Sequence, residues 1–232
     1  MDKISFILLL LAFGMNIVAQ ETYPTESEKD LYWQPERQIQ FSDYQSTIDI
    51  NCIKYNEKYG VQMSSNIGFR KIVDVPKKRG KIDKGYIVPV FCKNCSCILS
   101  EDSLGLLVDR LLFDITETCA RSARKDLSDF QITGNIDNPN AMFFTSITNK
   151  WDEFRKGVFA TIIKEVLVDK IDTAYISWRK IVDEKLEQTK EYATTPKDCY
   201  RFVAGKPVEK GYKQAKTIVG DMRRNKETEK TN

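Results

Sequence analysis

Apolar positions change period halfway along the chain. From Leu104 onward Leu107, Val108, Leu111, Leu112, Ile115 and Cys119 recur at three- and four-residue spacing, which predicts an amphipathic helix over 103–127. Ser100 is placed to cap it, with Glu101 and Asp102 putting negative charge in the first turn. Its other face carries Arg110, Asp114, Glu117, Arg121, Arg124 and Lys125. Arg110 with Asp114 and Glu117 with Arg121 are i,i+4 pairs, so this side reads as a solvated ion-pair face. A second helical region follows over 151–192, broken near Gly157 or around Asp169 and ended by Pro196. Phe154, Val158, Ile162, Val166, Ile171, Tyr175, Trp178 and Val182 form its expected buried stripe.

The first half reads as strands. Within 47–58, Ile48, Ile50 and Cys52 alternate onto one face, Tyr59-Gly60 marks a turn, and 61–75 is a second extended region. A charged loop over 76–85 leads into the apolar run 86–92, where Pro89 suggests an edge strand or a bulge. Residues 130–140 form a loop rich in turn formers (Gly134, Asn135, Asp137, Asn138, Pro139), and their acidic spacing does not match a calcium-binding EF-hand. The fold class is therefore α+β: a small N-terminal antiparallel sheet packed on an amphipathic helix, followed by a long helical segment.

The ends of the chain set the domain organisation. Lys3, the apolar stretch 4–12 and the exit at Ala19-Gln20 make residues 1–20 a secretory signal peptide. A membrane anchor needs about 20 apolar residues, and Gly14, Asn16 and Gln20 interrupt this stretch. No later stretch is apolar enough to span a bilayer, so no stable membrane span is expected after cleavage. Residues 21–31 form a flexible segment, 32–195 the folded domain, and 196–232 a basic, partly disordered tail. The expected location is periplasmic or extracellular.

Composition narrows the chemistry. A net charge of +3 over 232 residues, with basic residues scattered until the C-terminus, gives no case for a nucleic-acid partner. The chain has no histidine, which removes the commonest general base, the Ser-His and Cys-His nucleophile pairs, and any imidazole metal site. Six cysteines in an exported chain, Cys52, Cys92, Cys95, Cys97, Cys119 and Cys199, are disulfide candidates with about 15 possible pairings. Cys92-Lys-Asn-Cys95 also has the spacing of a thiol oxidoreductase motif, which requires a thioredoxin-like setting at a helix start. No second such pair follows it to complete a thiolate zinc site.

Two segments carry a resemblance. Tyr32-Trp33 followed by Arg37-Gln38-Ile39-Gln40-Phe41-Ser42-Asp43-Tyr44 is similar to the opening of a family of uncharacterised secreted bacterial proteins related to zincin metallopeptidases. The stretch 113–117 (Phe-Asp-Ile-Thr-Glu), with Ala120-Arg121 and Arg124-Lys125, resembles the segment that follows that family's His-Glu-x-x-His motif. Cys95-Ser96-Cys97 sits where the family often has Ser-Trp, and the resemblance covers about residues 32–190. It implies that the motif falls on 108–112, which here reads Val-Asp-Arg-Leu-Leu. Val108 and Leu112 then replace the two zinc-binding imidazoles and Asp109 the catalytic glutamate. Gln188 stands where a later family histidine would be.

The resemblance thus implies a zincin-like scaffold without zinc ligands, hence no cofactor, acting by binding an unidentified protein or as an envelope component. A hydrolase using Asp109 and Glu117 without zinc, and an oxidoreductase using Cys92 and Cys95, are the alternatives. Asp109 and Asp114 diverge by about 140° around a helix, so they do not share a small cation.

Overall fold

The apolar run Tyr-Ile-Val-Pro-Val-Phe-Cys at 86–92 is the strand around which everything else assembles. The structure, a computed structural model, describes residues 23–48, 50–78, 80–133 and 139–216; the signal-peptide expectation lies outside them. In chain order the elements are β1 (Asp30–Tyr32), α1 (Ile50–Tyr59), β2 (Met63–Ser64), β3 (Ile67–Pro76), β4 (Lys84–Cys92), β5 (Cys97–Ile98), α2 (Ser103–Thr133), α3 (Pro139–Ile162), α4 (Ala174–Gln188), α5 (Pro196–Val203) and β6 (Tyr212–Gln214). The class is α+β.

The main sheet is antiparallel, in the order β1-β4-β3-β6, and β2 pairs with β5 separately. β4 is buried on both faces, which is why its sequence is continuously apolar instead of alternating. Ile87 and Phe91 point toward α2 and α3, while Val88 and Val90 pack with Tyr32 and Cys199 under α5. This corrects the edge-strand expectation for Pro89, since β4 has a neighbour on each side. The proline fits because Trp33 stands opposite it, one residue beyond the Tyr32–Val90 pair that ends β1. Trp33 N donates to Pro89 O at 3.2 Å. The return bond that proline cannot donate is replaced by the Gln34 side-chain amide, 2.6 Å from Trp33 O, and by the Cys199 thiol at 3.8 Å.

Four further expectations are corrected. Residues 50–59 are helical: Cys52, Tyr55, Asn56 and Tyr59 are the buried or half-buried positions, a spacing of three and four that three alternating residues had masked. The cap of α2 is Asp102, whose Oδ1 accepts from Leu104 N at 3.0 Å and Gly105 N at 3.2 Å, while Ser100 instead reaches Gln62. α2 runs on to Thr133 and α3 starts at Pro139, so the expected loop survives at most in residues 134–138, which lie outside the described residues. Pro196 begins a helix: it holds the first turn of α5 behind a capping box formed by Thr195 and Asp198.

The helical region breaks after 168, as the sequence suggested near Asp169, and runs through Gly157 without interruption. A π-helical turn over Ile163–Val168 leads into that break, where Lys170 takes φ 52°. Of its predicted stripe Ile162, Val166 and Val182 are buried, whereas Phe154 and Ile171 are 56% and 48% exposed. No described helix is long and apolar enough to cross a membrane.

Both ends of the expected domain extend further than 32 and 195. Tyr32 N donates to Thr25 O at 3.1 Å, and Glu26 pairs with Lys93, so residues 25–31 are held against the body. At the other end α5 covers the sheet, and β6 adds a strand beside β3, with Val75 opposite Lys213. A buried clasp holds this end: Arg201 Nε and Nη2 donate to the two Asp74 oxygens at 2.6 and 2.7 Å, and both side chains are 1% exposed. Removing one partner strands the other charge in the interior. Asp74→Asn should therefore cost about 3–5 kcal/mol in urea denaturation, and the double change Asp74→Asn with Arg201→Met should recover much of it. A loss below about 1 kcal/mol in the single variant would mean that the pair is not a structural clasp.

Candidate functional site

A polar cleft opens where the chain leaves β1. Pro35 sets a tight turn closed by Arg37 N donating to Gln34 O, which swings residues 37–43 along α2. Arg37 fixes that path by donating to both oxygens of the buried Asp43, at 3.0 and 2.6 Å, and to Glu26. Asp43 Oδ2 in turn accepts from Gln40 N at 2.8 Å. Ile39 is thereby driven into the core, fully buried, and its carbonyl accepts from Arg110 Nε at 2.8 Å.

The remaining walls come from two helices. α2 offers Leu107, Arg110, Phe113 and Asp114, and α4 offers Tyr175, Arg179, Asp183 and Leu186, each set at helical spacing. With Trp33 and Ile39 they enclose a cleft of about 370 Å³. Asp114 is its central carboxylate: it accepts from Trp33 Nε1 at 2.7 Å and from Arg179 Nη1 at 2.6 Å. Arg179 Nη2 reaches Asp183 at 2.6 Å, while its Nε is buried without a hydrogen-bond partner among the described residues. Arg110 has only its Nε engaged; its two terminal amino groups have no hydrogen bond or ion pair among the described residues. The expected Arg110–Asp114 pair is thus replaced by one bond to a backbone carbonyl and by Trp33 with Arg179.

The positions aligned with the metallopeptidase motif lie elsewhere on α2. Val108 is 1% exposed and Leu112 3%, both inside the main apolar cluster. Asp109 is buried, and its oxygens accept from Tyr44 Oη at 2.5 Å and Ser65 Oγ at 2.6 Å. Burial pushes its carboxyl up to about 6, against the pull of those two hydrogen bonds. Neither aliphatic side chain has a lone pair, so residues 108, 109 and 112 do not fit a zinc ion. Among the described residues no three His, Cys, Asp or Glu side chains converge as a ligand set.

The other sequence-derived candidates also separate. Glu117 is fully buried, bound to Arg121 at 2.7 Å and to Thr194 N at 2.8 Å, so the solvated-face reading is corrected for Glu117 and Arg121. Neither Asp109 nor Glu117 lines the polar cleft. Gln188 is exposed, and with Trp151, Phe154, Trp178 and Ile181 it borders a second, apolar cleft of about 380 Å³ between α2, α3 and α4.

Four of the six cysteines form bridges, Cys52–Cys97 and Cys92–Cys95. Cys119 and Cys199 are buried free thiols, each pushed up to about 12 by burial, which makes them poor nucleophiles. The expectation that they form a bridge is corrected, because they lie in different apolar clusters on opposite sides of the sheet. The Cys52–Cys97 bridge spans 45 residues and is worth about 4 kcal/mol by loop closure, against about 1.5 for Cys92–Cys95, which spans 3.

Sequence alone does not mark Trp33, Arg110 and Arg179 as site residues, and it reads Arg110 only as half of an ion pair with Asp114. Nothing in the spacing announces that a helix 65 residues downstream of Asp114 supplies its arginine partner. Comparison with protein-family models, with curated proteins and with solved structures finds no match.

Asp109 gives a signed test. Its folded carboxyl holds a proton above the ordinary carboxylate range, so the native state binds more protons than the unfolded chain between about pH 4 and 6. Stability should fall as pH rises through that window and then level, by at most about 3 kcal/mol. Urea denaturation at pH 4.5 and 7 should show the fall in the native protein and a flatter profile in Asp109→Asn. Equal slopes in the two would show that Asp109 ionises freely.

Proposed function

We propose that this is an exported, non-catalytic binding protein on a zincin-like scaffold, taking its ligand in the polar cleft. The observation that carries this reading is the burial of Val108 and Leu112 at 1% and 3% exposure, which turns the motif positions into core. The cleft lies on the neighbouring face of the same helix, at 107, 110 and 114. Arginines, aspartates and aromatic walls suit recognition of a small polar ligand with an apolar part. Two disulfides are in keeping with an exported chain.

A carboxylate-only hydrolase finds less support. Tyr44 and Ser65 engage Asp109, and Arg121, Arg124 and Thr194 engage Glu117, so both act as buried structural acceptors. One observation favours a thiol oxidoreductase: Cys95 is exposed in its bridge to Cys92. Against that, the pair frames a short 3-10 turn over Lys93–Cys95, which lacks the α-helix start that makes a thiol more acidic in such motifs.

Purified from an export compartment, the protein should carry far less than one zinc equivalent and hydrolyse no peptide. Near-stoichiometric zinc with chelator-sensitive peptidase activity would overturn the reading. Thiol titration separates the redox alternative. The native protein should expose no reactive thiol, and denaturation without reductant should release two, Cys119 and Cys199. Turnover of a dithiol substrate, lost in Cys95→Ser, would establish the oxidoreductase instead.

A further inference from the structure

We propose that the polar cleft recognises a carboxylate on an apolar body, with Arg110 as the residue that binds the carboxylate. This rests on the reading of the cleft as a ligand site. The cleft is lined by three arginines, and two are committed: Arg37 to Asp43 and Glu26, Arg179 to Asp114 and Asp183. Arg110 has no carboxylate among the described residues. Its Nε is anchored on Ile39 O at 2.8 Å, which fixes the plane of the guanidinium and leaves the two terminal amino groups as donors. A planar donor fork matches the two oxygens of a carboxylate.

Charge decides between a carboxylate and a phosphate. Arg110 is the one arginine of the cleft without a carboxylate among the described residues, and Arg179 already serves two, so the cleft matches at most one negative charge. A phosphate dianion would bring its second charge beside Asp114 and Asp183, which line the same cleft. Arg179, whose buried Nε has no acceptor among the described residues, lines the same cleft. The apolar part of the ligand has Leu107, 39% exposed, and the half-buried Tyr175 and Leu186 to lie against.

Titration calorimetry of the mature chain at low salt tests this with three kinds of probe: N-acetyl-leucine and N-acetyl-phenylalanine, their uncharged amides, and inorganic phosphate. At least one acid should bind tenfold or more tightly than its amide and than phosphate. Arg110→Gln should remove that preference, and Arg110→Lys, which keeps the charge but not the fork, should lose part of it. Leu107→Trp, at an exposed position with no polar contact to disturb, should fill the mouth and weaken the acid with the melting temperature unchanged. Should Arg110→Gln fail to fold, the last two variants still decide.

Acid and amide binding alike, phosphate binding tightest, or no probe binding at millimolar concentration would each overturn the carboxylate assignment. Conversion of a probe to product would overturn the non-catalytic reading instead, leaving the preference for a carboxylate to stand or fall on the affinities.

Discussion

Glu117 is the buried charge on which the arrangement of the helices depends. It sits on α2 with no exposure, accepting from Arg121 Nε, Arg124 Nη2, Thr194 N and Thr194 Oγ1. An isolated carboxylate there would be prohibitive, so its partners must be present whenever the protein is folded. Those partners reach outward in turn. Arg121 Nη1 donates to Leu186 O at the end of α4, and Arg124 Nη2 donates to Ile87 O on β4 at 3.0 Å. One carboxylate thereby ties α2 to the central strand and to the chain between α4 and α5.

The cleft follows from that tie. With Leu186 held by Arg121, α4 lies along α2, and Arg179 and Asp183 are presented to Asp114. Trp33 joins them from the other side, its ring under the Arg121 guanidinium at 5.2 Å and its indole nitrogen on Asp114. α2 therefore has an apolar face and a polar face that is divided along its length into two parts. Val108, Leu112 and Ile115 fill the core, Glu117, Arg121 and Arg124 clasp the C-terminal region, and Leu107, Arg110 and Asp114 open to the cleft. Arg110 is left without a counter-ion among the described residues because its i,i+4 partner is claimed by residues distant in sequence.

Much of the fold was legible. The α2 stripe, the β4 run, the break before α4 and the α+β class all depend on local period and on punctuation by turn residues, which operate within about one or two helical turns. Errors arose where a local pattern had two solutions. Ile48, Ile50 and Cys52 alternate like a strand, yet Cys52, Tyr55, Asn56 and Tyr59 share a helix face, and the Cys52–Cys97 bridge fixes that face inward. Pro89 looked like an edge residue because the substitute donors for its missing N–H, Gln34 and Cys199, are far from it in the chain. Pro196 reads locally as a stop, although the same locked φ suits a helix's first turn.

By itself the sequence determined what chemistry is absent and where regular structure would form. A chain without histidine has no imidazole ligand, and valine and leucine at 108 and 112 offer a metal nothing, whatever the fold. Only the tertiary structure decided which charges are paired. Arg110, Glu117 and Arg121 look alike on a helical wheel, all on its polar side. Burial then separates them, because the charge of Glu117 and Arg121 is balanced by groups from α2, 186 and 194, while Arg110 meets one backbone carbonyl. A charge's energy is set by the dielectric and the neighbours around it, and those come from segments that sequence order does not bring together.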